Sequence, residues 1–421
     1  MKTTQRVWQF LPNCSSFQLG LFIFLVGFLV RIAIILIFHP YRELSRYELE
    51  RTAISLATTG VYGNPYAIPT GPTAHVSPGY TLLLAGLFRL FGTGVPAQII
   101  KELLASAVTS LICAVLPAVA RAFAIDVRAG VLAGVVSALY PARPLVQIEG
   151  SWETPYTALA LIVLSVLTVR LWRTQELTRR AALLHGIAWG ISLLFVSALL
   201  PMFLFFVLVG TFFCSTAGFR RYVSFVAVEV LVVALCLAPW AIRNLYALGS
   251  PILTRSNFGL ELRISNNDFA SPDQRVNLIN GLYDKYHPLQ NAKEAGKVRE
   301  MGEVAYNKQA GDEAKQWIRN HPWPFVRLCL GRVRCFWLYR DPTSAMKTIF
   351  LNATVLLGLG SLVSVFRSDA VTGSVLLLVL LIYPLPNYLI HVGLRQEYPI
   401  EWLMTLLALR PITRVCHFRL R

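Results

Sequence analysis

FQLGLFIFLVGFLVRIAIILIF, residues 17–38, decides the fold class. A helix needs about 20 apolar residues to cross the hydrocarbon core of a bilayer. Only Gln18 and Arg31 interrupt this run. It is too long for a signal-peptide core and no small-residue cleavage site follows it, so it reads as an uncleaved first span. Working outward, apolar runs recur at 99–120, 129–147, 155–172, 181–198, 200–217, 222–242, 349–366, 371–390 and 398–410, the last one short. Splitting 181–217 at Leu200-Pro201 is one of two readings, because a proline can instead kink one long helix. Composition agrees. Of 421 residues 55% are apolar and 14% charged, against about 25% charged in a soluble domain. That excludes a soluble enzyme and a disordered chain. Seven cysteines, an odd count with four in or beside apolar runs, exclude a disulfide framework and show no metal-ligand spacing.

The net charge of +17 points to nucleic acid or to membrane topology, and its placement decides. The run Gly79–Phe91 is about half the length of a span. If it stays outside as a surface-lying segment, one side of the membrane collects Lys2, Arg6, Arg121, Arg128, Arg170, Arg173, Arg179, Arg180, Arg220, Arg221, Arg367, Arg410, Arg414, Arg419 and Arg421. These face only Asp126, Glu176 and Asp369. Cations gather on the cytoplasmic side, so the count favours ten spans with both termini inside. The excess answers anionic lipid, not nucleic acid. Two outer loops follow, one over 39–98 and a larger, polar one over 243–347, between spans 7 and 8. The chain divides into an N-terminal membrane module (1–242, with loop 39–98), the outer loop 243–347, and C-terminal spans with a basic tail (348–421).

Residues 46–58 of the first loop place Leu49, Ala53, Leu56 and Ala57 on one helical face, and Gly60 ends the helix. Its apolar face fits a membrane surface. Glu43, Glu48 and Glu50 then lie near the outer rim, where pairing with Arg42, Arg46 and Arg51 is the plainer reading. A Gly/Pro-rich stretch carries on to His75, and Pro78-Gly79-Tyr80 opens the short apolar segment. The corner 140–155 reaches the same rim. There Glu153 precedes a helix whose first turn is Pro155, and a carboxylate is favoured at a helix N-terminus. Glu149 lies one turn away, and Arg143 either holds a phosphate or marks the interface. Ionisable groups at membrane depth are candidate functional groups.

These segments, in order, resemble the GT-C glycosyltransferases. The similar branch is that of dolichyl-phosphate-mannose–protein mannosyltransferases and lipid A aminoarabinose transferases. Tyr47-Glu48-Leu49-Glu50-Arg51 with Gly60-Val61-Tyr62 resembles that family's acidic juxtamembrane helix, and Pro78-Gly79-Tyr80 through Gly92 its second juxtamembrane segment. Glu153-Thr154-Pro155 is similar to its acidic span start. Pro239-Trp240-Ala241-Ile242-Arg243-Asn244 with Ser265-Asn266-Asn267 resembles the opening of its large outer loop, and His321-Pro322 with Phe325 and Arg332–Trp337 that loop's end. Tyr383-Pro384, His391, Arg395 and Pro399-Ile400 resemble its penultimate corner. Two departures stand out. Glu occupies the first loop where the family has Asp, and Arg395 is followed by Gln396-Glu397-Tyr398 where the family often reads Arg-Tyr-Arg.

The resemblance implies an all-α polytopic protein that uses a polyprenyl-phosphate sugar donor, with inversion, at the outer face of the cytoplasmic membrane. The acceptor is a glycan, lipid or protein. Expected roles follow. Glu48, with Glu43 and Glu50 behind it, takes the acceptor proton. Glu153 or Glu149 orients the acceptor or supports the charge on the sugar. Arg243, Arg395 and Arg143 hold the phosphate. Tyr80, His75, Asn244 and His391 contact substrate. No cofactor is required by the sequence, and a divalent ion held on these carboxylates would be Mg²⁺ or Mn²⁺. The rival readings are a lipid-linked-sugar flippase, which would place charge at mid-membrane, and a non-catalytic family member.

Overall fold

The structure, a computed structural model, describes residues 16–42, 47–140, 149–338 and 345–418. It is all-helical, and no strand occurs among the described residues. The first half comprises α1 (Ser16–Phe38), α2 (Glu48–Thr59), α3 (Pro78–Phe91), α4 (Val95–Ala122), α5 (Val127–Leu139), α6 (Thr154–Thr174), α7 (Arg179–Phe195), α8 (Leu200–Phe213) and α9 (Phe219–Leu248). The outer loop folds as α10 (Phe258–Ser265), α11 (Gln274–Ile279), α12 (Leu282–Tyr286), α13 (Ala292–Met301), α14 (Glu303–Asn320) and α15 (Pro322–Trp337). The chain returns through α16 (Ala345–Ser368), α17 (Ala370–Ile382), α18 (Leu385–Leu389), α19 (Leu394–Glu397) and α20 (Glu401–Phe418).

Among the described residues, six helical segments are long and apolar enough to cross a membrane: Phe17–Phe38, Val95–Ala122, Thr154–Thr174, Phe219–Leu248, Thr348–Ser368 and Ala370–Leu389. The protein is a multi-pass membrane protein. The other expected spans are also helices (α5, α7, α8 and α20), three of them shorter. At Leu200-Pro201 the chain divides: α7 ends, a 3-10 turn (Ser197–Leu199) intervenes, and Pro201 sits in the first turn of α8, where its missing N–H costs nothing.

Small residues set the closest packing. A Cβ on Gly130 would lie 2.6 Å from Leu116 O, and one on Gly134 2.6 Å from Cys113 O. This GxxxG face lets α5 meet α4 backbone to backbone, as small-residue faces do in membranes. One core runs through α4, α6, α7, α8, α17 and α20, centred on the fully buried Trp189, Leu161, Leu193 and Leu199. Two buried pairs lie among these helices. Arg31 grips Glu149 with two hydrogen bonds (3.1 and 3.2 Å), and His185 Nδ1 meets Glu229 at 2.6 Å.

In the first loop, α2 and α3 pack on each other. Leu49, Ala53 and Ala57 join Tyr80, Leu84 and Phe88 in a second core. Gly60 closes α2 in the left-handed conformation (φ 75°) and donates to Leu56 O. The apolar face of α2 is thus spent on protein rather than lying on lipid. The opposite face is covered as well, because Glu48 and Glu50 are both buried.

Candidate active site

The covering comes from the outer loop. Tyr66 and Ile68 of the first loop pack among Leu260, Ile264, Leu282, Ala295, Val298 and Tyr306. This docks α10–α14 onto the stretch leading to His75. His287, at the end of α12, is thereby brought to Glu48, with Nε2 3.1 Å from Oε1. His75 completes a triangle: the donor atoms of Glu48, His75 and His287 all lie within 4.8 Å of one another, and all three residues are buried. Burial holds the His75 imidazole well below its ordinary pKa, with His287 and Arg255 adding to the effect. Its ring is therefore neutral and has a lone pair to offer.

Outer contacts fix both rings. Tyr66 Oη lies 2.8 Å from His75 Nδ1, leaving Nε2 as the ligand atom in the manner of metal-bound imidazoles. Leu289 N–H donates to His287 Nδ1 (3.1 Å), so without an ion the proton sits on Nε2, facing Glu48. An ion held through Nε2 would require the other tautomer, with the proton on Nδ1 and the Leu289 contact given up. The donor set, two imidazoles and a carboxylate, fits Zn²⁺ or Mn²⁺ better than the oxygen-seeking Mg²⁺. The sequence reading placed His75 with substrate and did not foresee His287.

The second corner joins the same site. The Trp152 ring packs at a tilt against Tyr47 (ring centroids 4.8 Å apart, 37° between planes), next in sequence to Glu48. Arg395 lies 3.6 Å over the Trp152 ring, and its Nη2 is 3.3 Å from Glu153 Oε1. Glu153 Oε2 is buried without a hydrogen-bond partner. Behind Arg395, His391 Nδ1 lies 3.6 Å from Glu261 Oε2. Burial holds His391 down at about 4. Burial opposes the charge on Glu261, but His391, His287, Arg255 and Arg395 together keep its pKa below the ordinary value.

The other expected site residues are placed otherwise. Glu149 is held by Arg31 and by Tyr398 Oη (3.0 Å), on the membrane side of the corner. Arg243 donates to Thr73 O and Tyr62 O and lies over the Tyr62 and Trp240 rings, so its guanidinium is used in holding the loop. Asn244 binds Ile252 O, and Tyr80 donates to Gly150 O; both fasten turns. Glu50 pairs with Gln98 and Lys101. Glu43 and Arg143 lie outside the described residues. Arg255, unremarkable in the sequence, donates through Nε to His75 O (3.0 Å) and adds positive charge at the site.

The sequence matches no protein-family model and no curated protein. The fold has counterparts among solved structures. One is the archaeal oligosaccharyltransferase AglB from Archaeoglobus fulgidus in complex with an inhibitory peptide and a dolichol-phosphate (TM-score 0.51, 15% identity). Others are the Archaeoglobus fulgidus oligosaccharyltransferase in its apo form (TM-score 0.55, 12% identity) and in complex with Zn and sulfate (0.55, 14%). Each alignment covers 94% of this chain and 50% of the other, so the chain spans half the length of these structures. At such identity the likeness is one of fold. The chain has the GT-C-like fold expected from its sequence, and no branch within that class is singled out.

Proposed function

We propose that this protein transfers a sugar from a polyprenyl-phosphate carrier to an acceptor, with inversion, at the outer face of the cytoplasmic membrane, both termini lying in the cytoplasm. One observation carries the reading. The Glu48 and Glu153 corners meet through Tyr47, Trp152 and Arg395, putting two carboxylates, two histidines and a half-open arginine in one place. The transferase fold of the structural counterparts supports it.

In this reading Glu48, His75 and His287 hold a divalent ion, which when bound supplies positive charge for the phosphate. Glu48 then serves as a ligand, and the proton acceptor moves to Glu153, whose buried Oε2 has no hydrogen-bond partner. Arg395 meets the leaving phosphate with its planar fork. Its contact with Glu153 also holds that carboxylate in position for the acceptor hydroxyl. An apolar cavity of about 400 Å³, lined by Ile112, Leu116, Phe336, Leu394, Trp402 and Met404, gives the first isoprene units a place within one residue of Arg395.

The test uses protein in nanodiscs with a panel of polyprenyl-phosphate sugars, together with lipid-linked-sugar profiles of cells lacking the protein. E153Q is expected to slow donor consumption at least 100-fold with metal affinity intact. E48Q loses both. Unchanged lipid-linked sugars in the deletion, with no donor consumed in vitro, refutes the transferase reading.

A further inference from the structure

We infer that Glu303, which no step of the proposed reaction uses, is a positioning residue that sets His75 for metal binding through the backbone around it. The inference rests on the metal reading above. Glu303 opens α14 and is 5% exposed. Its Oε1 accepts from Ala74 N–H (2.8 Å) and from Ser256 Oγ–H (2.6 Å), and its Oε2 accepts from Thr73 Oγ1–H. Thr73 Oγ1 in turn accepts the His75 N–H (3.0 Å).

The other backbone groups of this tripeptide are held from the same direction. Arg243 donates to Thr73 O, Ser256 N–H to Ala74 O (2.9 Å) and Arg255 to His75 O. With Thr73 N–H donating to Tyr62 O (3.1 Å), all six backbone groups of the three residues are held, four of them from the outer loop or its entry helix. Glu303 alone collects three donors, which Arg243, Arg255 and Ser256 do not. Burial pushes its pKa up and the three hydrogen bonds work against that. A carboxylate kept in such a position marks a joint that the fold depends on.

Loss of the carboxylate frees Ala74 N–H and both hydroxyls, so the segment turns and His75 Nε2 leaves the triangle with Glu48 and His287. Outer contacts of this kind typically change metal affinity by about 10–100-fold.

The experiment measures Zn²⁺ affinity of the full chain in nanodiscs by competition with a fluorescent chelator, alongside melting temperature. E303A is expected to bind at least 10-fold more weakly. E303Q, whose carboxamide oxygen still accepts from Ala74, is expected to lose about fivefold, and it carries the test should E303A fail to fold. The comparison variant is E294Q. Glu294 is a buried carboxylate of the same loop that binds Arg263, Tyr306 and Lys297 and not residues 73–75. It should lower the melting temperature without moving Zn²⁺ affinity. The inference is overturned if E303A and E303Q bind Zn²⁺ within twofold of wild type, or if E294Q weakens binding as much as they do. Wild-type protein that binds no Zn²⁺ at all would instead remove the metal reading itself.

Discussion

Arg395 offers the sharpest separation of charge from geometry. Its guanidinium lies 3.6 Å over Trp152 and 3.3 Å from Glu153, with a quarter of the side chain exposed. The stacking contributes about 0.5–2 kcal/mol, and a charge-assisted hydrogen bond to phosphate about 1.5–3 kcal/mol. R395A should therefore weaken binding of polyprenyl phosphate by about 3 kcal/mol, roughly 100-fold or more. R395K keeps the charge but loses the plane and the fork, so a loss of about 1–2 kcal/mol, roughly 5–30-fold, is expected. W152L removes the stacking surface alone and should cost about 1 kcal/mol, close to fivefold. Native mass spectrometry with undecaprenyl phosphate reads the affinity without knowledge of the sugar. The double variant R395A/W152L should be no worse than R395A, since the indole acts only through the guanidinium. Binding by R395A within threefold of wild type refutes the phosphate assignment. Full additivity in the double variant refutes the stacking argument.

Breaking the buried Arg31–Glu149 pair with E149Q should destabilise by about 3–5 kcal/mol, and R31M/E149L should recover most of that, as read by thermal unfolding in detergent. R332M should cost at least about 3 kcal/mol, because Arg332 is fully buried and donates to Ser265 O, Asn266 Oδ1, Tyr388 O and Leu389 O; an unchanged melting temperature counts against it. His391 predicts an acid limb. Its folded pKa, about 4, lies below the unfolded value of about 6.5, so its contribution is complete above pH 6.5 and drains as pH falls toward 4. Glu261 opposes this and Arg395, Arg332 and His287 reinforce it. The size is at most about 3 kcal/mol, and H391N should flatten the melting temperature between pH 7 and 5.

The helices were legible because lipid and protein interior both demand apolar runs, and the length of such a run is visible in one dimension. Gly60 and Pro201 were legible for a similar reason, since each acts on its own backbone. The rim corners at Glu48 and Glu153 could be drawn together from topology alone. Their surroundings could not. Helical periodicity put Glu48 and Glu50 on the polar side of α2, which in an isolated helix means solvent. The outer loop, far along the chain, turns that side into a second buried face. His287 follows a short helix with no recurring pattern, and only the docking of that helix makes it a neighbour of Glu48. Arg243 shows the same limit. A cation at a span end reads as a phosphate ligand, and nothing local announces that its guanidinium also lies over the Tyr62 and Trp240 rings and donates to two carbonyls.

That docking assigns a second purpose to residues that look purely structural. The three candidate metal donors come from α2, from the irregular loop after it, and from a segment more than two hundred residues later. No local preference brings them together. The apolar contact of Tyr66 with Leu260, Ile264 and Tyr306 does so, and the same Tyr66 hydroxyl then orients the His75 ring. Burial and ligand orientation thus reside in one side chain, so the loop cannot dock without also setting the ring.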